Sequence, residues 1–145
     1  MSRSAKGVRI YPVPSHLVPE MWPHVVPHLI RGAAVADVTL EEIAEGVDAG
    51  TDRLWAIFTD GKVSGAFVTA VCEDETGVWL GIYALGGRGV RQWAGALDAT
   101  MQLEARTRGV RRIRFAGREA WSRVLPNLEP LGHERGHRIF ERVAA

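Results

Sequence analysis

The hydrophobic pattern of this chain changes period across Leu85-Gly86-Gly87-Arg88-Gly89, and that change restricts its fold more than any other stretch. Before it, Val78–Leu85 reads as a strand. After it, Val90, Trp93, Ala94, Leu97, Met101 and Ala105 recur at three- and four-residue spacing, the stripe of an amphipathic helix that ends near Gly109. The next segment, Val110–Ala116, alternates again, with Ile113 and Phe115 on one face and Arg112 and Arg114 on the other. A strand therefore runs through a glycine turn directly into a helix.

The rest of the chain surrounds this unit with strands and short helices. Leu54–Thr59 and Lys62–Val71 are strand-like, and Asp60-Gly61 between them is a strong hairpin signal. A second turn in Glu73-Asp74-Glu75-Thr76-Gly77 leads into Val78, which places three antiparallel strands in a row. Thr39-Leu40-Glu41-Glu42 forms a capping box for a helix with Leu40, Ile43, Ala44 and Val47 on its apolar face, and Gly50 marks its stop. Earlier, Val8–Tyr11 reads as a short strand closed by Pro12 and Pro14. Val18, Met21, Trp22, Val25 and Leu29 then keep helical spacing, but Pro19, Pro23 and Pro27 fall every fourth residue. Proline breaks a helix interior, so the expectation is a short or distorted helix starting near Pro19 or Pro23, with a kink at Pro27. Glu119–Leu125 reads as a short helix and Arg138–Val143 as a last strand. The order predicts an α/β (α+β) fold: a mixed, mostly antiparallel sheet of about six strands flanked by about four helices, in one domain over residues 1–145.

Composition excludes several classes. The net charge is +1, which gives no polyelectrolyte field. Charge is nevertheless uneven along the chain: residues 37–75 hold ten acids against Arg53 and Lys62, whereas residues 106–142 hold ten arginines against four acids. A basic third of this kind reads first as a solvated face. Nucleic acid binding is disfavoured, because Phe115 lies on the face opposite Arg112 and Arg114 and no nucleic-acid motif is present. The single cysteine, Cys72, rules out an internal disulfide and fits a reducing compartment. No stretch approaches the roughly 20 apolar residues of a membrane helix, and the first residues lack a signal-peptide core. Cytoplasmic location is the expectation. No Cys/His cluster has zinc spacing; His133 and His137, four apart, would share a face on one strand but do not make a metal site alone. The five tryptophans sit in separate segments, where core packing is the natural reading.

The glycine turn carries its own chemistry. A helix start presents unpaired N–H groups and the positive end of the dipole, and glycines let an anion approach the backbone. Leu85, Gly86, Gly87, Arg88, Gly89, Val90 and Arg91 are therefore the candidate anion-binding residues, with two arginines added. From Trp79 to the C-terminus, the segment WLGIYALGGRGVRQWAGALDATMQLEARTRGVRRIRFAG resembles the GNAT superfamily of acetyl-CoA-dependent N-acyltransferases. The resemblance covers about half the chain, with a looser match in element order before it. In that family a central strand enters a Gln/Arg-x-x-Gly-x-Gly/Ala turn whose amides hold the pyrophosphate of coenzyme A. Here the turn matches in part: Gly86-x-x-Gly89-x-Arg91 lacks the first polar residue, and Ala84-x-x-Gly87-x-Gly89 begins with Ala.

The resemblance implies acetyl-CoA as donor, no metal, and an amine acceptor. It also implies a late tyrosine, shortly before a Leu-Gly-Phe element, that protonates the leaving thiolate. Leu131-Gly132-His133 resembles that element, yet Leu125–Pro130 contains no tyrosine, and the only tyrosines are Tyr11 and Tyr83. No catalytic acid carries over, and Glu73, Asp74 and Glu75 are candidates for the base only by chemical type. Two functions stay open. One is a divergent N-acetyltransferase. The other is an inactive GNAT-like domain with protein partners in an assembly, similar to small phage- and prophage-encoded proteins and then virion-associated. A homo-oligomer is compatible with either.

Overall fold

The computed structural model describes residues 7–36, 38–117, 129–134 and 137–143. Its sheet is organised by the turns that the sequence marks. Asp60 and Gly61, both at positive φ (50° and 82°), join β2 (Arg53–Thr59) to β3 (Lys62–Asp74) in the mirror-image turn that matches strand twist. The Glu75-Thr76 turn joins β3 to β4 (Gly77–Gly87). With β1 (Val8–Pro12), β5 (Arg112–Gly117), β6 (Glu129–Glu134) and β7 (His137–Val143), these form a seven-stranded sheet in the order β1-β2-β3-β4-β5-β7-β6. Only β4 and β5 run parallel, across the helix α3 (Val90–Thr107); the other pairings are antiparallel.

A layer of helix covers each face. On one side α3 sets Trp93, Leu97, Met101 and Ala105 against Phe67, Leu80, Ile82, Ile113 and Phe115. On the other, α1 (Val18–Ala36) and α2 (Leu40–Ala49) set Val25, Leu29, Ala33 and Ile43 against Leu54, Ala56, Ala66, Val68 and Ala84. A short 3-10 turn, Ser15–Leu17, leads into α1. The capping box of α2 forms in full: Thr39 Oγ1 accepts the Glu42 amide at 3.1 Å, and Glu42 Oε1 accepts the Thr39 amide at 3.2 Å. Gly50 ends that helix at φ 79°. No helix among the described residues is long and apolar enough to cross a membrane.

The structure corrects or sharpens three expectations. First, α1 is not short: it starts at Val18, beside Pro19, and runs 19 residues with Pro23 and Pro27 inside it. The four-residue spacing puts Pro19, Pro23 and Pro27 on one solvent-exposed face, where the carbonyls that lose their partners turn toward water. Second, the sheet expected with about six strands has seven, because Glu129–Glu134 pairs with β7 despite Pro130. β6 is an edge strand, where proline is tolerated. Third, His133 and His137 do not share a strand: they lie on β6 and β7, with Glu134 opposite His137 and His133 opposite Arg138. The helix expected at Glu119–Leu125, and Trp121 within it, lie outside the described residues.

Candidate functional site

The parallel pair defines the site. Leu80, Gly81 and Ile82 of β4 pair with Ile113, Arg114 and Phe115 of β5, and the ladder then stops. Beyond it β4 runs on to Gly87, held by β3, and β5 runs on to Gly117, held by β7. A gap therefore opens between the carboxyl ends of two neighbouring parallel strands, beside the N-terminus of α3, the position at which open α/β sheets bind ligands. At the same level β4 carries a bulge: Val68 faces Tyr83 and Ala66 faces Gly86, so Phe67 opposes both Ala84 and Leu85. Ala84 adopts φ 54°, a left-handed conformation unusual for a residue with a side chain. The bulged peptide is received by α1. A Cβ on Gly32 would overlap the Ala84 carbonyl and the Leu85 nitrogen, so only glycine lets helix and bulge meet there.

The seven candidate residues of the turn divide sharply. Leu85 is buried in the core on the α3 side. Gly86 lies in the ladder opposite Ala66 and beneath α1, where a Cβ would overlap the His28 carbonyl oxygen. Gly87 lies opposite Gly65; a Cβ there would stand 2.5 Å from the Ser64 oxygen and 3.1 Å from Cζ2 of Trp93. The Arg88 amide donates to the Ser64 carbonyl at 2.7 Å, and the Arg88 carbonyl accepts the Trp93 indole N–H at 2.7 Å. Gly89 caps α3 in the left-handed conformation (φ 68°, ψ 36°), without a side-chain cap, and its carbonyl accepts the Gln92 amide at 2.8 Å. Among the described residues this leaves the amides of Gly89, Val90 and Arg91 without a hydrogen-bond partner at the positive end of an 18-residue helix. Arg88, Gly89 and Arg91 are exposed there. Such a cradle, three donors flanked by two guanidinium groups, can hold a phosphate-like anion.

A residue that the sequence pattern did not single out stands beside this turn. His28, on α1, has its pKa lowered from 6.5, first by burial and then by the charges of Arg31 and Arg88, while the Val63 backbone opposes the shift. Its Nδ1 is buried without a hydrogen-bond partner among the described residues. Nothing local in the sequence marks His28, because its neighbours Arg88 and Val63 come from distant segments.

Tyr83 is the first β4 residue past the ladder with β5, and it turns to the α1/α2 face, where its hydroxyl donates to Oδ2 of Asp52. Burial, then the hydrogen bond and charge of Asp52, push its pKa well above the usual tyrosine range and keep it a neutral phenol. Cys72 and Glu42 lie close enough to add to that effect. Asp52 follows α2, and Gly46 makes room for its carboxylate, since a Cβ there would overlap it.

Glu73, Asp74 and Glu75 are not brought to the gap. They occupy the β3–β4 turn, at the opposite end of the 11-residue β4 from Gly87, roughly 30 Å away at strand rise. Asp74 is engaged locally by Thr76, whose amide and hydroxyl donate at 2.7 and 2.6 Å. The uneven charge along the chain is resolved here too. Arg114 bonds Glu141 at 2.6 Å, lies 3.8 Å from Asp74 and covers the Trp79 ring at 4.2 Å; Arg112 lies 3.8 Å from Glu141 and donates to the Thr76 carbonyl at 3.1 Å. Trp79 thus shares the arginine face from the neighbouring strand, but beneath a guanidinium. No group of three or more His, Cys, Asp or Glu among the described residues is arranged to hold a metal ion.

No protein-family model matches the chain, and no curated protein sequence does. Solved structures do match it along nearly its whole length. An IAA acetyltransferase from Bacillus cereus superposes with a TM-score of 0.64 at 13% identity, covering 94% of this chain and 99% of its own. The acetyl transfer enzyme of Salmonella typhimurium that modifies the N-terminal serine of ribosomal protein L7/L12 gives 0.58 at 18% identity, covering 96% of each chain. The PaiA N-acetyltransferase of Thermoplasma acidophilum, solved in complex with coenzyme A, gives 0.54 at 12% identity, covering 94% of this chain and 99% of its own. With its parallel β4–β5 pair, bulged β4 and glycine turn into α3, this chain has the mixed α+β fold of the GNAT acetyltransferases.

Proposed function

We propose that this protein is an acetyl-CoA-dependent N-acyltransferase whose donor site lies at the start of α3. The observation that carries the reading is the set of unengaged amides of Gly89, Val90 and Arg91, next to the gap between β4 and β5. These three donors, with Arg88 and Arg91, suit the pyrophosphate of coenzyme A. The seat is narrower than the whole turn, since Gly86, Gly87 and Arg88 use their backbone within the sheet and on Ser64.

Bound there, coenzyme A would supply an activated thioester. The β4 edge past Ile82, which has no ladder partner in β5, offers backbone donors that polarise the thioester carbonyl. Catalysis then consists largely of positioning: the amine nitrogen attacks the carbonyl carbon, the C–S bond breaks, and the amine proton leaves to a base while the thiolate is released. The cytoplasm, rich in coenzyme A thioesters and reducing enough for Cys72, is the compartment that fits. Calorimetry with acetyl-CoA tests the reading. Saturable binding is expected, weakened at least tenfold in the double variant Arg88→Glu/Arg91→Glu; no heat at millimolar ligand would dismiss the reading.

One observation favours a second reading, a non-catalytic domain that serves assembly, as in a phage particle. Half of the turn is locked into the protein, with the Arg88 amide on Ser64 and the indole of Trp93 on the Arg88 carbonyl. Acetyl transfer that disappears in Gly89→Trp would eliminate it; co-purification with a capsid or tail component in place of any coenzyme binding would favour it.

A further inference from the structure

α1 crosses the end of β4 at the glycine turn, and the residue at the crossing is a histidine. A Cβ on Gly86 would overlap the His28 carbonyl oxygen, and one on Gly32 would overlap the Ala84 carbonyl, so α1 lies on β4 with His28 over Gly86 and Gly32 over Ala84. Helical side chains tilt toward the N-terminus of their helix. On α1 that direction runs along β4 past Gly86, and it carries the His28 imidazole toward Arg88 and the start of α3.

Positive charge collects at this crossing. Arg31, one turn further along α1, and Arg88, from the glycine turn, are the charges that act on the imidazole among the described residues, and β3 contributes the backbone of Val63. Neither guanidinium pairs with a carboxylate among the described residues. The Val63 backbone opposes the lowering of the His28 pKa, as a carbonyl that accepts an imidazole N–H does. Nδ1 is buried with no hydrogen-bond partner among the described residues. A proton on His28 thus meets burial and two like charges. An anion on the amides of Gly89, Val90 and Arg91 reverses that balance, because its charge offsets Arg88 and attracts an imidazolium. The two equilibria are linked, so the anion favours the proton by the same factor as the proton favours the anion.

We propose that His28 is the proton-linked cation of the donor site: a phosphate group bound at the start of α3 draws a proton onto its imidazole, so the site binds more tightly in acid. The inference rests on the donor reading above. It gives that site a pH dependence which amides and arginines alone lack, since neither titrates between pH 5 and 8.

Dephospho-coenzyme A is the probe, because its pyrophosphate diester keeps a constant charge over this range, whereas a phosphate monoester titrates near pH 6 (about the second pKa of a phosphate group). Two readouts are made on the full chain. In the imidazole proton spectrum, saturating probe should raise the His28 midpoint by about half to one pH unit and leave that of exposed His24 in place. Arg31→Gln should raise the His28 midpoint of the free protein, since it removes one of the two like charges. In calorimetry, affinity should rise about three- to tenfold from pH 7.5 to 5.5, the counterpart of that midpoint shift. His28→Gln should lose the rise and His24→Gln keep it. The spectrum needs no variant, so it decides even where His28→Gln fails to fold. A His28 midpoint unmoved by bound probe, or a rise in affinity that survives in His28→Gln, would overturn the proposal and leave the donor site standing. No saturable binding of the probe at any pH would remove the donor reading, and this inference with it.

Discussion

Replacing Gly32 by alanine should destabilise the protein, although the same change elsewhere on a helix stabilises it. Gly32 is where α1 receives the bulge of β4. A Cβ built there falls within 3 Å of the Ala84 carbonyl carbon, its oxygen and the Leu85 nitrogen, all of them backbone atoms that cannot rotate away. Helix and strand must separate locally, and overpacking of this kind costs about 1–3 kcal/mol, with the upper end expected against backbone. Alanine returns up to about 1 kcal/mol through helix propensity, which leaves a net loss of about 2 kcal/mol. For a domain near this length that corresponds to a fall in Tm of roughly 5–8 °C. Gly95, exposed in the middle of α3, has nothing within 4 Å of its built Cβ, so Gly95→Ala should gain about 0.5–1 kcal/mol. Urea unfolding and thermal melts of the two variants side by side read opposite signs. A Gly32→Ala protein as stable as the parent, or more so, would refute the close seating of α1 on β4.

Three further outcomes follow from single interactions. Thr39→Ala removes the capping hydroxyl from Glu42's amide and should cost about 1 kcal/mol in urea unfolding. Glu104→Gln leaves Arg53 and Arg108 without their shared, buried counter-ion and should cost about 2 kcal/mol, more than any exposed charge change on α3. His28 has a folded-state pKa below 6.5, so the unfolded chain binds its proton first as pH falls. Stability contributed by neutral His28 is therefore whole above 6.5 and lost as pH falls below it, and His28→Gln should flatten the stability–pH curve below pH 6.5. A curve unchanged in His28→Gln would show that the imidazole is not held away from its proton.

What the sequence revealed is what lies within a few residues. The Asp60-Gly61 turn, the Thr39–Glu42 capping box, the Gly50 stop and the period change at the glycine turn each need only neighbours, and each forms as the pattern indicates. The proline-containing helix misled because proline's cost depends on which face it occupies, and that face is set by packing on β3 and β4. The order of elements and the candidate turn were readable, but the use of its amides was not. Ser64, the extra residue where β3 slips against β2, aims its carbonyl at Arg88 from 24 positions away. Tyr83 and Asp52 are 31 apart, and His28 meets Arg88 only because α1 crosses the turn. The acids of Glu73–Glu75, attractive by chemical type, were placed by the hairpin at the wrong end of β4.

The proposed donor site at the start of α3 is tested most directly by the amide spectrum of the labelled protein during titration with coenzyme A. The largest shifts should fall on Gly89, Val90 and Arg91, with smaller ones along β4 from Tyr83 to Leu85, and Gly86, Gly87 and Arg88, whose backbone is already engaged, should move less. Shifts scattered over the surface, or a spectrum unmoved at millimolar coenzyme A, would contradict the account.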